Sequence, residues 1–252
     1  MRTPLEPGLP PRATVSSAVL QSRLMKRALF FFLLIPFLAA QTATEVEITG
    51  EPSHHPALDN EYVRVLQVEV APHASTLMHR HRHDYVFVTL GDAHVSNEVE
   101  GKAPVELRLT DGETRFAAGN FAHIARNLSD QPFRNMTIEF MQDEKLRQTP
   151  SHWQEESGEK TFAGGRSKIL FVKDGVRVSE VNLEPGATEP SRHDAGPYLL
   201  VAVTDLDLHG VDGADPMPGK FKSGDVKWLP GDDTRTLTNV GTGPARFVTV
   251  EF

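Results

Sequence analysis

Three histidines alternate with two arginines in the segment His79–Asp84, whose sequence is HRHRHD. In an extended strand, residues i, i+2 and i+4 share a face, so the histidines point one way and the arginines and Asp84 point the other. Two imidazoles at i and i+2 on an inward face can bind one divalent ion, at about 2.0–2.1 Å per bond. The competing interpretation is a charged strand edge, which discourages aggregation.

A third ligand must come from another part of the chain. His123 is the candidate, because it follows the Asp111–Gly112 turn and a stretch of small residues, at the start of an expected strand. The chain has no cysteine, so imidazole or oxygen must hold the ion, which favours Fe, Mn, Zn, Ni or Cu(II) over Cu(I). The histidines without patterned neighbours are interpreted as surface or loop residues: His54, His55, His94, His152 and His209.

The elements that position these residues are predicted to be β-strands. Apolar and polar residues alternate over 63–70, 105–109 and 133–141, with one slip near Leu66 that suggests a bulge. Gly, Pro and Asp separate the short segments, and no long amphipathic helix is evident. This pattern predicts an all-β sandwich or barrel.

The sequence repeats itself once. Residues 63–76 align with 176–189 at an offset of 113, and residues 133–140 align with 245–252 at an offset of 112. We therefore predict two similar units, 45–141 and 166–252. The polar segment 142–165 is expected to link them, with a short helix near its start.

Both histidine segments lie in stretches that resemble the two characteristic motifs of the cupin superfamily. In the first motif His73 takes a glycine position, the His-x-His follows five residues later, and Gly91 ends the motif. In the second, Gly112 is followed at matching spacing by Ala118-Gly119-Asn120, His123 and Asn127. The resemblance covers nearly all of the chain after the first 44 residues, since the second unit repeats the pattern.

The resemblance implies two tandem cupin-type barrels, each a double-stranded β-helix or jelly roll. It also implies that His79, His81 and His123 bind a divalent metal. The family's carboxylate is expected at Tyr85 or Val86, and neither residue is acidic. Two arrangements remain open: three histidines with Tyr85 nearby, or a bulge that turns Asp84 inward. His83 shares the parity of the first two histidines and could replace either of them.

The second unit departs from the motifs at each ligand position. Arg192 and Asp194 stand where the first two histidines stand, and Arg235 replaces His123. Because arginine is not an ordinary metal ligand, the second barrel is predicted to be metal-free and degenerate. Arg235 is expected to pair with Asp194 or to face an anionic ligand.

The N-terminus resembles an export signal. Residues 25–41 combine a basic start, a thirteen-residue apolar core and small residues before Gln41, which is typical of a signal peptide and short for a membrane span. Residues 1–24 are expected to be a mis-annotated leader that precedes the true start at Met25. The protein is therefore predicted to be periplasmic or secreted, without stable membrane insertion after cleavage.

Three classes of function fit these features. The first is a metal-dependent enzyme of dioxygenase or isomerase type that acts on a small organic molecule. The others are a non-catalytic cupin that binds or senses a small ligand, and a structural bicupin with a vestigial site. Tyr85, Asp84 and Glu139 are candidate general bases, and none is assigned. The formal charge of −8 argues against a nucleic-acid partner, and a homodimer stays open.

Overall fold

The computed structural model describes residues 44–148, 150–153, 157–190, 196–211, 219–229, 231 and 236–252. Two sets of strands follow each other along this part of the chain. The first set comprises β1 (Val46–Glu47), β2 (His54–Asp59), β3 (Val63–Val70), β4 (His79–His81), β5 (Tyr85–Thr89), β6 (Ala93–Val99), β7 (Val105–Leu109), β8 (Thr114–Ala117), β9 (Phe121–Asn127) and β10 (Phe133–Phe140), with a 3-10 turn at Ile48–Gly50. The rest comprises α1 (Asp143–Gln148), β11 (Gly158–Phe162), β12 (Gly165–Lys173), β13 (Val176–Leu183), β14 (Thr188–Glu189), β15 (Tyr198–Ala202), β16 (Leu206–Val211), β17 (Lys220–Phe221), β18 (Val226–Leu229), β19 (Thr236–Asn239) and β20 (Ala245–Glu251).

The first barrel consists of two five-stranded sheets. One has the order β1-β4-β9-β6-β7, which we call the histidine sheet, and the other has the order β2-β3-β10-β5-β8. An apolar cluster joins their inner faces at one end of the barrel and includes Val68, Val95 and Phe133. The second barrel has a six-stranded sheet, β11-β12-β13-β20-β15-β18, and a four-stranded sheet, β14-β19-β16-β17. The prediction of an all-β fold with two tandem jelly-roll barrels is confirmed.

The two barrels share a hydrophobic core. The outer faces of β3, β5 and β10 pack against those of β13, β15 and β20, in one cluster that contains Val65, Ile138, Val178 and Val250. Strands in such a position are buried on both faces, which explains the slip in alternation near Leu66. The ladder between β3 and β10 is regular there, and the register shift lies instead on β2, between Pro56 and Leu58. An irregularity near Leu66 is therefore present, where Pro56 pairs with Leu66 and Leu58 with Val65, but the extra residue is on β2 and not on β3.

The segment between the barrels contains regular structure of its own. It carries α1, close to the predicted short helix, and then β11, which pairs with β12 along its whole length. Between them Trp153 is buried, and its indole N–H donates to the carbonyl of Gly175 at 2.7 Å. Among the described residues no helix is both long enough and apolar enough to cross a membrane. The predicted leader, signal peptide and cleavage region lie outside the described residues.

The repeat explains one backbone feature of the first motif. His73, at the motif's glycine position, has a φ of 58°, in the left-handed region that favours glycine. The equivalent residue of the second barrel is Gly186, with a φ of 79°. The turn keeps this conformation although its residue in the first barrel is a histidine. Asn127, the last residue of the second motif, donates to the carbonyls of Val70 and Gln131, and its equivalent Asn239 makes the same kind of bonds.

Candidate metal centre

Strand β4 presents its histidines inward and its arginines outward. The side chains of His79 and His81 are buried, at 1% and 2% exposure. On the outer side, Arg80 donates to Glu45 through Nε and Nη2 at 2.6 and 2.7 Å. Arg82 likewise pairs with Glu47, with an Nε–Oε2 distance of 2.9 Å. Glu45 precedes β1 and Glu47 lies in it, and β1 pairs in parallel with β4. The two arginines therefore hold the N-terminal segment beside the strand that carries the histidines.

His123 is directly opposite His79 on the neighbouring strand. Strands β4 and β9 pair in antiparallel register with these two residues as partners. The ring centroids of His79 and His123 are 4.5 Å apart, and those of His81 and His123 are 5.1 Å apart. The structure thus brings together the three residues that the motifs single out.

His54 completes the cluster, and the interpretation of this residue as a surface or loop histidine is wrong. Its side chain is buried at the start of β2, and its ring centroid is 4.6 Å from that of His79. One ligand atom each from His54, His79 and His81 lies within 4.8 Å of the others. The neighbouring His55 is exposed, as predicted. His54 comes from the sheet opposite the histidine sheet, outside both motifs.

Three of the four imidazoles are oriented by an acceptor at Nδ1. The Nδ1 of His54 is 2.6 Å from a carboxylate oxygen of Glu51, and the Nδ1 of His123 is 2.6 Å from the amide oxygen of Asn97. The Nδ1 of His79 is 2.9 Å from the carbonyl of Leu77. An Nδ1–H that donates in this way leaves the lone pair on Nε2, which is the tautomer that a metal requires.

The Nε2 atoms of His79, His81 and His123 converge on one another, and among the described residues none of them has a hydrogen-bond partner outside the histidine cluster. The Nε2 atoms of His81 and His123 lie 3.2 Å apart, so two acceptors face each other if both rings are neutral with Nδ1 protonated. The Nε2 of His79 is buried without any hydrogen-bond partner, which costs about 1–3 kcal/mol unless something binds it. A divalent ion between the two facing nitrogens would give both of them a partner. The donor set therefore fits a divalent ion.

Burial keeps these histidines neutral. Burial lowers the pKa of His79 to about 4, helped by the neighbouring imidazole of His54. Burial and the neighbouring histidines lower the pKa of His81 and of His123 to about 2. Glu51 has the opposite character: although burial opposes it, hydrogen bonds from His54 and from the backbone N–H of Leu77 hold the pKa of this carboxyl below its usual range. The site thus combines neutral ligands with one ionised carboxylate behind them.

His83 and Asp84 are not part of the cluster. The Nδ1 of His83 is 3.3 Å from Asp143, and the backbone N–H of Gly119 donates to Asp84 at 2.8 Å. Both residues line a polar cavity of about 1110 Å³ beside α1, together with Asp143 and Arg147. Of the two arrangements left open by the motifs, the inward bulge at Asp84 is therefore absent here.

Tyr85 and Glu139 border the cluster on the opposite sheet. The ring of Tyr85 stacks on His81 with centroids 4.1 Å apart and an interplanar angle of 17°. Burial raises the pKa of Tyr85, with a further contribution from the charge of Glu139, so its phenol keeps its proton. Glu139 is 1% exposed, and burial raises the pKa of its carboxyl against the opposing effect of Arg64.

The fold and the site define a class of protein. Two tandem jelly-roll barrels are the bicupin arrangement that the sequence motifs imply, and solved structures share this fold. Oxalate decarboxylase from Bacillus subtilis is similar with a TM-score of 0.55 and 13% identity, over 76% of this chain and 69% of that one. The Lactobacillus farciminis oxalate decarboxylase formate complex gives a TM-score of 0.56 and 14% identity, over 76% and 77%.

A third similar structure is AerE from Microcystis aeruginosa, with a TM-score of 0.55 and 12% identity, over 80% of this chain and 97% of that one. No protein-family model matches the chain, and no curated protein sequence matches it. The resemblance to cupins is confirmed in the fold, and the chain is a two-barrel protein of the cupin fold. At these identities the likeness speaks for the fold alone.

The predicted features of the second site lie outside the described residues. The structure does not describe Arg192, Asp194 or Arg235, so the metal-free second barrel stays a prediction. The residue that the motifs missed, His54, gives only a weak signal in the sequence. It follows Glu51 by three residues in a segment without alternation, and only the pairing of β2 with β3 brings it to the cluster.

Proposed function

We propose that the chain is an exported bicupin that binds one divalent metal ion in its first barrel and acts through it on a small organic molecule. The observation that carries the proposal is the convergence of four imidazoles, three of which already have an acceptor at Nδ1. His79, His81 and His123 would hold the ion, with His54 as a fourth imidazole. Manganese, iron, zinc, nickel and copper(II) all suit such ligands.

A bound divalent ion would supply a Lewis acid that polarises an oxygen of the substrate. The protein ligands are neutral, so the ion would keep its full positive charge, which favours anionic or chelating molecules. The chain's own contribution is to orient the imidazoles and to exclude water from them, because two of the rings are almost completely buried. The reaction proposed is of dioxygenase or isomerase type.

Non-catalytic binding of a small ligand is the second candidate, and the state of the general-base candidates supports it. The carboxylate of Asp84 is turned away from the cluster and accepts from the backbone N–H of Gly119. Tyr85 holds its proton firmly, because burial raises the pKa of its phenol. Glu139, the third candidate, is buried beside the cluster, and burial raises the pKa of its carboxyl.

Elemental analysis of the untagged chain tests the metal. After expression with a metal supplement we expect about one ion per chain, whereas about a tenth or less would refute the proposal. His123→Ala should abolish binding, and His83→Ala is the matched control from the same histidine-rich pattern, since His83 lies outside the cluster. Equal loss from both variants would contradict the assignment.

Oxygen uptake by the metal-loaded protein separates the two candidates. A panel of thiols, diketones and phenols is offered with each metal in turn. Turnover that disappears in His123→Ala supports the enzyme. Binding of a panel member, seen as a change in the metal's spectrum without turnover, supports the non-catalytic candidate.

A further inference from the structure

A row of three residues crosses the same strands in both barrels. In the first barrel Glu139 on β10 pairs in register with Arg64 on β3 and with Tyr85 on β5. In the second barrel Glu251 on β20 pairs in register with Arg177 and Tyr198. The offsets are those of the sequence repeat, so Glu139 and Glu251 are equivalent positions in one molecule and can be compared directly.

In the second barrel Arg177, which belongs to the same row, and the nearby Thr249 bind the carboxylate of Glu251. Both Nε and Nη2 of Arg177 lie 2.6 Å from one carboxylate oxygen of Glu251. The hydroxyl of Thr249 donates to the other oxygen at 3.0 Å. Both oxygens of this carboxylate thus have partners within the same sheet, an arginine at one and a hydroxyl at the other.

In the first barrel the equivalent arginine and threonine, Arg64 and Thr137, make their shorter hydrogen bonds to other residues. The Nε of Arg64 turns to Asp59 at 3.2 Å, and its Nη1 reaches Glu139 only at 3.5 Å. Thr137, the equivalent of Thr249, donates at 2.8 Å to Asn135, which stands where the second barrel has Phe247. One carboxylate oxygen of Glu139 is therefore left, fully buried, without a hydrogen-bond partner.

The carboxylate oxygen of Glu139 that has no hydrogen-bond partner faces the histidine cluster. Oε1 of Glu139 lies 3.5 Å from Nδ1 of His81, and that nitrogen is also buried without a partner. His81 is thus the one imidazole of the four whose Nδ1 lacks an acceptor within hydrogen-bond distance. A closure of less than about 1 Å would satisfy both atoms at once, at an ordinary hydrogen-bond length.

We propose that Glu139 is a positioning residue of the metal centre: it accepts the Nδ1–H of His81 and so fixes Nε2 as the ligating atom. It also supplies the centre with a carboxylate from β10, directly across the ladder from Tyr85, where the motif lacks one. A carboxylate behind a ligating histidine fixes the ring and raises its basicity. The inference rests on the proposed metal binding.

The test compares Glu139→Gln with Glu251→Gln in the full chain, by competitive titration with zinc and by the absorption spectrum of bound cobalt(II). Loss of a carboxylate behind a ligating histidine typically weakens metal binding about 10–100-fold, and we expect this for Glu139→Gln together with a changed cobalt spectrum. Glu251→Gln should stay within about twofold of the wild type, because its carboxylate serves a different barrel. Equal affinities in the two variants would overturn the inference.

A second measurement on the wild type does not depend on the folding of any variant. Long-range proton–nitrogen NMR assigns the tautomer of His81 with and without zinc. A proton on Nδ1, shifted downfield by a strong hydrogen bond, supports the contact with Glu139, and a proton on Nε2 overturns it. A wild-type chain that binds neither zinc nor cobalt would refute the proposed function instead, and the tautomer of the metal-free chain would still decide the contact.

Discussion

The metal-free protein should lose stability steeply in mild acid, because three histidines accept protons much less readily in the folded than in the unfolded chain. In the unfolded chain an ordinary histidine has a pKa of 6.5, whereas the folded values are about 4 for His79 and about 2 for His81 and His123. The folded pKa is depressed, so between these values the unfolded state binds more protons than the folded state. The contribution of the three histidines to the free energy of unfolding is therefore complete above the unfolded pKa, and it is lost as the pH decreases.

The size of the effect follows from the number of protons. Between about pH 7.5 and about pH 5.5 each of the three histidines takes up nearly one proton in the unfolded state only, at roughly 1.4 kcal/mol each, or about 4 kcal/mol together. Glu139 acts in the opposite direction, since burial raises its folded pKa, and it offsets part of this loss. A loss of this size is a large part of the 5–15 kcal/mol that is typical of a folded domain.

Urea unfolding of the chelator-treated chain at the two pH values measures this loss. His123→Asn removes one of the three groups and should reduce the pH difference by about a third. His152→Ala is the control, because the exposed His152 should leave the pH difference unchanged. If the wild type is as stable at the lower pH as at the higher, the histidines are not held neutral by burial and the reasoning fails.

Three further outcomes are expected. His54→Ala should weaken zinc binding by at least about tenfold, and the adjacent, exposed His55→Ala should leave it unchanged in the same titration; equal affinities would remove His54 from the site. His73→Gly should raise the free energy of unfolding by about 0.5–1 kcal/mol, whereas Gly186→Ala, at the equivalent turn, should lower it by about 1 kcal/mol. Thermal melting compares the two, and a loss of stability in the first would show that the histidine is not strained. Asp84→Asn should keep full metal content by elemental analysis, and a loss of metal would place its carboxylate at the ion.

Much of this fold could be predicted from the sequence, because the patterns that indicate it are local or repeated. Strand parity places His79 and His81 on one face, and the offset between the repeats predicts two barrels of equal design. The position of His54 could not be predicted in this way, since it depends on which strand lies opposite another across the barrel. The contact of Glu139 with His81 likewise depends on the diversion of Arg64 and Thr137, and only the pairing of side chains in space shows it.

The shared core between the barrels has a consequence for the history of the chain. If the repeat arose by duplication, each copy can change only as far as its neighbour allows, because the outer face of β3, β5 and β10 is as apolar as an interior. A first barrel released from its partner would expose Val65, Val88 and Ile138 to water. Deletion of the second barrel is therefore expected to make the first barrel poorly soluble. The second barrel is then needed for a soluble protein whether or not it binds a metal.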